Sequence, residues 1–325
     1  MQLKLVSHHV GGRAGSIGLP ISPSFERDFV NVLYDADADS IEQIRRHWAH
    51  RACDTRVYPY CLAKSSGAAI LNINFDAYTS SLLGANQSVA HYYMHHAPDG
   101  VDYVLGDACR PMERRQVFTV ALDELMRRPE FADAPPDFLS LDTQGTEHEI
   151  LEGAHVTLRR HVLAVYCEAE IVPVYQGQKL LCDLVCLMRD AGFHLAQCKL
   201  HEGFAPLRAP IGARAKGQPF GSDLLFLREI DNVQREIFDP LERHLALQKL
   251  ALISVLFQLL EHGLHVLDSA GRIDIPADMQ REFGRLSYYR FLERLREIVA
   301  AMPQRRPPTY GETKCFEEMQ ARFRE

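Results

Sequence analysis

Asp142 is the residue whose position most strongly suggests chemistry. The apolar run Phe138–Leu141 predicts a buried strand that ends at this carboxylate. After Gly145 a helical pattern begins, with Ile150 and Leu151 on one face. Ligands of open α/β sheets bind beyond the carboxyl ends of the strands, so an acid in this place faces the site and could accept a proton. Taken alone, Asp142 could equally well cap the helix.

Two further acids and a histidine are candidates for the same chemistry. Glu168 and Glu170 lie on the next predicted strand, and side chains two residues apart share one face of a strand. Both could therefore point into a site, or both could pack against a helix. His148 lies one turn into the helix that follows Asp142, where it is either exposed to solvent or able to reach a substrate.

A glycine-rich turn and a distant acid predict a nucleoside site. Gly11, Gly12 and Gly15 follow the first predicted strand, Leu3–Val10, and glycines let the backbone approach a ligand closely. About twenty residues further on, the second strand ends at Asp35, an acid suited to the hydroxyls of a ribose. The pair, separated by one βα unit, indicates a nucleoside cofactor.

Short apolar strands alternate with amphipathic helices, which predicts a parallel, doubly wound sheet that positions these residues. A loop at 203–221 between the last two strands predicts an antiparallel strand at the end of the sheet. The other predicted strands are Phe29–Tyr34, Arg56–Ala63, Ala69–Asn74, Gln116–Ala121, Val162–Ile171, Phe193–Leu200 and Leu224–Leu227. The predicted helices are Ser40–His50, Leu122–Arg128, Thr146–Arg160 and Lys179–Ala191, and Tyr78–Gly100 is predicted to be a loop.

The segment around Asp142 resembles the FkbM family of S-adenosylmethionine-dependent methyltransferases. In that family a strand ends in Lys-x-Asp-x-x-Gly-x-Glu and runs into Leu-x-Gly-Ala. The matching places are held by Asp142, Gly145, Glu147, Leu151, Gly153 and Ala154. The turn at 10–15 resembles Val-Gly-Ala-Arg-Gly-Gly, and 34–37 resembles Phe-Glu-Pro-Asp. The resemblance covers nearly all of the first 230 residues.

The resemblance implies a Rossmann-like class I methyltransferase sheet with a C-terminal helical extension, and S-adenosylmethionine as cofactor. Residues expected to bind the cofactor are His9, Gly11, Gly12, Gly15, Asp35, Ala63 and Asp142. Expected substrate-binding residues are Ser80 and Ser81, in a stretch like the family's Ser-Ser-Leu, with His148 and Tyr175. Methyl transfer chiefly requires alignment of donor and acceptor, with Asp142 as the first candidate base and Glu168 or Glu170 as alternatives.

The reaction implied is O-methylation of a hydroxyl of a sugar, a polyketide or a related small molecule. Two departures from the family favour a rival, a methyltransferase-like scaffold that has lost catalysis. Ser140 replaces the usual lysine, and His9 stands where many members carry an acid that helps place the methionine amino group. A third hypothesis, a dinucleotide enzyme on a related sheet, is weakened because no full G-x-G-x-x-G is present.

Net charge and composition limit the classes of partner and ligand that we expect. A net charge of −7 over 325 residues argues against general nucleic-acid binding. The eight cysteines show no metal-ligand spacing, so we expect no metal. No signal peptide or membrane span is visible, and we expect a cytoplasmic protein. Residues 1–230 are expected to form the methyltransferase domain and 231–325 a helical extension, which acts as a lid or joins a homodimer.

Overall fold

The computed structural model describes residues 3–11, 18–36, 38–95, 102–205, 217–274 and 285–302. The strands in these residues are β1 (Leu5–Val10), β2 (Phe29–Tyr34), β3 (Asp54–Tyr58), β4 (Cys61–Leu62), β5 (Gly67–Asn74), β6 (Met94–His95), β7 (Tyr103–Val104), β8 (Pro111–Val120), β9 (Phe138–Leu141), β10 (Ala164–Glu170), β11 (Phe193–His201), β12 (Phe204–Ala205) and β13 (Gly221–Arg228). The helices are α1 (Ala38–Trp48), α2 (Gln87–Ala90), α3 (Leu105–Ala108), α4 (Leu122–Leu125), α5 (Glu147–Glu152), α6 (His155–Arg160), α7 (Leu181–Asp190), α8 (Ile230–Glu236), α9 (Pro240–Leu256), α10 (Leu260–Gly271) and α11 (Arg285–Ala301).

The central sheet has seven strands in the order β11-β13-β10-β9-β1-β2-β3. All neighbours from β10 to β3 pair in parallel, whereas β13 is antiparallel to both β10 and β11. In this register His9 lies beside Ser140, which lies beside Tyr166. The predicted fold class, a Rossmann-like α/β sheet, is confirmed, but the antiparallel strand β13 lies between β10 and the edge strand β11 and not at the end of the sheet.

Several predicted elements differ in their bounds. The strand expected at Arg56–Ala63 is two strands in different sheets, β3 and β4. The helix expected at Thr146–Arg160 is broken at Gly153, where a β-carbon would lie 2.5 Å from the carbonyl oxygen of Ala63. Strand β8 begins five residues before the predicted Gln116, because its exposed first half carries no apolar alternation.

Helices pack on both faces of the sheet, which explains why the strands and the helices that cover them carry apolar residues. On one face Val6, Leu139 and Val165 form a core with Ile150 of α5 and Leu184 of α7. The opposite face packs against the C-terminal helices rather than against helices from the first half of the chain alone. Its buried cluster combines residues of strands, such as Leu5 and Phe138, with residues of α9 and α11, such as Leu250 and Phe291.

Helix α9 is held against the sheet by specific contacts. Phe257 stacks on Phe138 and Tyr166, with ring centroids 5.9 and 5.7 Å apart. Lys249 Nζ donates to both carboxylate oxygens of Asp137 at 2.8 Å. Because a lone charge in this partly buried place would be costly, the pair fixes the helix on the strand. The division of the chain at residue 230 and the homodimer stay predictions.

Asp239–Pro240 predicts a break in the C-terminal helical pattern, because the residue before a proline disfavours the helical conformation. The break is confirmed: α8 ends at Glu236 and α9 begins at Pro240. Asp239 caps α9 by accepting a hydrogen bond from the backbone of Glu242 at 2.8 Å, and Pro240 occupies the first turn. The sequence also predicts a linker at Gly271–Pro276 and an amphipathic helix that begins at Asp278. The linker is described only to residue 274, and position 278 lies outside the described residues. In the described part of the chain, no helix has the length and apolarity that crossing a membrane requires.

Candidate functional site

The first cavity lies at the carboxyl ends of three neighbouring strands and has a volume of about 290 Å³. Gly11 after β1, Asp35 after β2 and Asp142 after β9 all line it. Backbone hydrogen bonds hold these ends together: the Gly11 amide donates to Tyr34 at 3.1 Å, and the Asp142 amide donates to Val10 at 3.0 Å. Three residues predicted to bind the cofactor are therefore brought to one cavity.

Gly11 permits a close approach of two strand ends. Its φ is +87°, and a β-carbon there would lie 1.8 Å from the carbonyl oxygen of Asp142. No other residue type fits this position without moving the backbone. Gly12 and Gly15, the other glycines of the predicted turn, lie outside the described residues, as does Asp37.

Asp35 stands at the wall of a largely apolar slot. Asp35 is only 9% exposed, and its backbone amide donates to the Tyr58 carbonyl at 3.3 Å. Beyond it the cavity is lined by apolar and aromatic side chains, namely Leu62, Leu71, Ile73, Tyr60 and Tyr78. Such a site suits a ligand in which a sugar ring is joined to a flat base: the acid can bind the hydroxyls of the sugar, and the apolar slot can hold the base. Ala63 lies one residue past this lining, and its amide donates to Val120 at 3.1 Å.

Gln144 joins four of the predicted site residues. Its Nε2 donates to Asp142 Oδ1 at 2.8 Å and to Glu168 Oε2 at 3.0 Å. Its Oε1 accepts from the Tyr175 hydroxyl at 3.3 Å, and its carbonyl accepts from Ser81 Oγ at 2.7 Å. The backbone of Gln144 is left-handed, with φ at +59°, which is uncommon for a residue with a side chain. Sequence analysis missed this residue, although it lies two places after Asp142.

Glu147 fixes the turn that follows Asp142. Its carboxylate accepts from the amide of Thr143 at 2.7 Å and from that of Gly145 at 3.0 Å. Burial raises the pKa of Glu147 to about 7, while these backbone hydrogen bonds act in the opposite direction. Glu147, which matches the family's glutamate, therefore stabilises the turn, and its side chain lines neither cavity.

The second cavity, which we call the acidic chamber, has a volume of about 250 Å³. It adjoins the first cavity, because Asp142 and Gln144 line both. The remaining lining residues are His9, Gly18, Ser140, Leu141, Tyr166, Glu168 and Asp223. Burial raises the pKa of Asp142, and burial together with the nearby Glu170 raises that of Glu168. Asp223 on β13 was not expected from the sequence.

The other predicted residues are placed less centrally. Ser80 lines the first cavity and accepts from the Asn74 amide at 3.2 Å. Glu170 is buried and lines neither cavity. Its Oε2 accepts from Gln178 Nε2 at 2.5 Å. His148 is partly buried, lies 3.6 Å from Glu152 and lines neither cavity. Within the described ranges, no group of three or more potential ligands is arranged to hold a metal ion.

The buried Glu170 predicts a pH dependence of stability. Burial raises its pKa from 4.5 to about 8, so the folded protein holds a proton that the unfolded chain releases at lower pH. The free energy of unfolding should therefore fall as the pH rises from about 5 to about 8, by on the order of 1 kcal/mol or more. In Glu170→Gln this decline should be smaller when thermal melts at the two pH values are compared. An identical decline in both proteins would contradict the assignment.

Comparisons with known proteins bear on the same region. Residues 69–195 match the model of the methyltransferase FkbM domain. A solved FkbM methyltransferase from Methylobacillus flagellatus is 11% identical, with a TM-score of 0.36, over 69% of this chain and 44% of that chain. A magnesium protoporphyrin IX methyltransferase from Synechocystis, solved with bound SAM, is 10% identical, with a TM-score of 0.32, over 70% of this chain and 71% of that chain. Among curated proteins no match is found.

The matched segment carries part of the site. It begins within β5 and ends within β11, so it includes Ser80, Ser81, Asp142, Gln144 and both glutamates of β10. Gly11 and Asp35 precede it, and β13 with Asp223 follows it. The predicted resemblance to the FkbM methyltransferases is therefore confirmed by the family model for residues 69–195 of this chain.

Proposed function

We propose that the protein is an S-adenosylmethionine-dependent methyltransferase that transfers a methyl group to a hydroxyl of a small molecule, such as a sugar, a polyketide or a related compound. One observation carries the proposal: Gly11, Asp35 and Asp142 line one cavity at the carboxyl ends of adjacent parallel strands. The family match over residues 69–195 supports methyl transfer as the reaction class.

The residues of the first cavity fit such a donor. Asp35 would accept hydrogen bonds from the two ribose hydroxyls, and the apolar slot beyond it would hold the adenine ring. Gly11 permits the close approach of the ends of β1 and β9, beside which this cavity lies. When bound, S-adenosylmethionine supplies a methyl group on a positively charged sulfur, which a nucleophile can displace in line.

Asp142 is proposed to orient the acceptor hydroxyl and to take its proton. Its carboxylate opens onto the cavity, and burial raises its pKa above the usual value, which makes the ionised form a stronger base. Gln144 holds Oδ1 of this carboxylate and so fixes its direction. Ser80 and Ser81, which line the same cavity as Asp142, would contact the acceptor. These residues act by alignment and proton transfer.

Replacement of Asp35 tests the cofactor assignment. Asp35→Ala should weaken binding of S-adenosylmethionine about 10- to 100-fold, because hydrogen bonds to a charged group are lost. The fold should be retained, since Asp35 lies at a strand end. Calorimetric titration measures the affinity, and Glu42→Ala, which removes an exposed acid paired with Arg46, is the matched control. Equal affinity in Asp35→Ala and the wild type would exclude this role.

A further inference from the structure

The acidic chamber gathers carboxylates from three strands. Asp142 follows β9, Glu168 lies on β10 and Asp223 lies on β13, where Glu168 and Asp223 are directly paired. No lysine or arginine is among the described residues that line it. Two basic groups lie beside these acids: His201, whose Nε2 is 3.1 Å from Asp223 and whose Nδ1 is 3.6 Å from Glu168, and Lys199, whose Nζ is 3.9 Å from Asp223 Oδ2. The described lining of the chamber therefore offers three carboxyl groups as hydrogen-bond acceptors and no cationic side chain of its own.

A buried histidine without a partner also faces the acidic chamber. His9 is 3% exposed and lines it, and neither ring nitrogen has a hydrogen-bond partner among the described residues. Burial lowers the pKa of His9 to about 4, so the ring is neutral at pH 7. Leaving a buried polar group unpaired is costly, which points to a ligand that supplies a donor or acceptor here.

The charge states of the acids suit a cation. Burial favours the neutral form of Asp223, but interactions with His201, Tyr166 and Lys199 together outweigh it and hold the pKa of this acid below its usual value. Asp223 is therefore ionised at neutral pH. For Asp142 and Glu168 the pKa is raised by burial and by neighbouring acids, and a cation between them would counter that repulsion.

We infer that the acidic chamber binds the ammonium group of the methyl donor, with Asp223 and Glu168 as its carboxylate partners and neutral His9 as a further hydrogen-bond acceptor. This inference rests on the proposed function. Asp35 and the apolar slot take the adenosine part in the first cavity, and the two cavities meet at Asp142 and Gln144. The amino-acid end of the donor would then extend over the ends of β1, β9 and β10, where the acidic chamber lies.

This arrangement gives His9 a role that does not need a carboxylate at position 9. The carboxylates come instead from β10 and β13, which pair at Glu168 and Asp223. His201 lies beside both acids, with Nε2 3.1 Å from Asp223 and Nδ1 3.6 Å from Glu168. Asp223 and Glu168 are thus positioning residues for the donor.

Two ligands that share the adenosine part separate this inference from the proposed function. S-adenosylhomocysteine carries the ammonium, whereas 5′-methylthioadenosine lacks the amino-acid end. In Asp223→Asn the Kd for S-adenosylhomocysteine should rise about tenfold or more, while the Kd for 5′-methylthioadenosine should not change. Asp190→Asn is the control, because it neutralises an exposed acid that is paired with Arg189 and lines neither cavity, and both affinities should be retained. Glu168→Gln provides a second variant if Asp223→Asn does not fold.

Each other outcome has a distinct meaning. Unchanged binding of both ligands by folded Asp223→Asn and Glu168→Gln would overturn the inference and leave the proposed function standing. An equal loss for both ligands would also overturn it, since the effect would not depend on the ammonium. Failure of the wild type to bind either ligand would instead overturn the proposed function, and the inference with it.

Discussion

Asp142→Asn is expected to lower turnover by on the order of a hundredfold or more, with little change in affinity for the donor. Asparagine keeps the shape of the side chain and an oxygen for Gln144 Nε2, which lies 2.8 Å from Oδ1. It removes the negative charge that would take the acceptor's proton. Single-turnover kinetics and calorimetry on the same preparations separate the rate from the affinity.

Two results would contradict this role of Asp142. Normal turnover in Asp142→Asn would place the base elsewhere, and Glu168, which shares Gln144 with Asp142, would be the next candidate. If the wild type binds the donor but transfers no methyl to any of a broad set of hydroxyl acceptors, the scaffold hypothesis gains. That hypothesis draws on the departures at His9 and Ser140.

Removal of the chain after Ile230 is expected to abolish folding. Leu247, Leu250 and Ile253 of α9 are fully buried against the sheet, and their loss would expose the apolar face formed by residues such as Leu5 and Phe138. Each such side chain contributes about 1.5–3 kcal/mol on burial, against a total stability of about 5–15 kcal/mol for a typical domain. Circular dichroism and thermal melting of the truncated chain measure the effect.

A point substitution tests the same packing within the full chain. Leu250→Ala should lower the free energy of unfolding by about 2–5 kcal/mol, because it leaves a cavity in the core. The matched control is Leu264→Ala on α10, where the leucine is 66% exposed and the change should be small. A truncated chain that melts cooperatively at the temperature of the full protein would contradict this account. It would instead support an independent domain ending at residue 230.

Much of the fold follows from apolar patterns. Strands β2 and β9 are nearly continuous apolar runs, because parallel strands are covered on both faces. Strands β1 and β10 carry polar residues as well, and all four positions were predicted within a few residues. The pattern could not show which helices cover which face. That α9 fills one face depends on contacts such as Phe257 on Phe138, between residues 119 positions apart in the chain.

Some residues of the candidate site could likewise be predicted from the sequence, and others could not. Gly11, Asp35 and Asp142 could be predicted because the end of a parallel strand sets a residue's place in the fold. Gln144 and Asp223 could not. The role of Gln144 depends on a left-handed backbone, which the sequence does not indicate because position 144 is neither glycine nor asparagine. Asp223 reaches the site only because β13 pairs antiparallel with β10.

Calorimetric titration of the wild-type protein with S-adenosylmethionine, S-adenosylhomocysteine and NAD tests the central claim most directly. The site at Gly11, Asp35 and Asp142 predicts saturable binding of the first two ligands at one site per chain, and no binding of NAD. Binding of NAD without binding of either S-adenosyl ligand would contradict the account and identify a dinucleotide site instead.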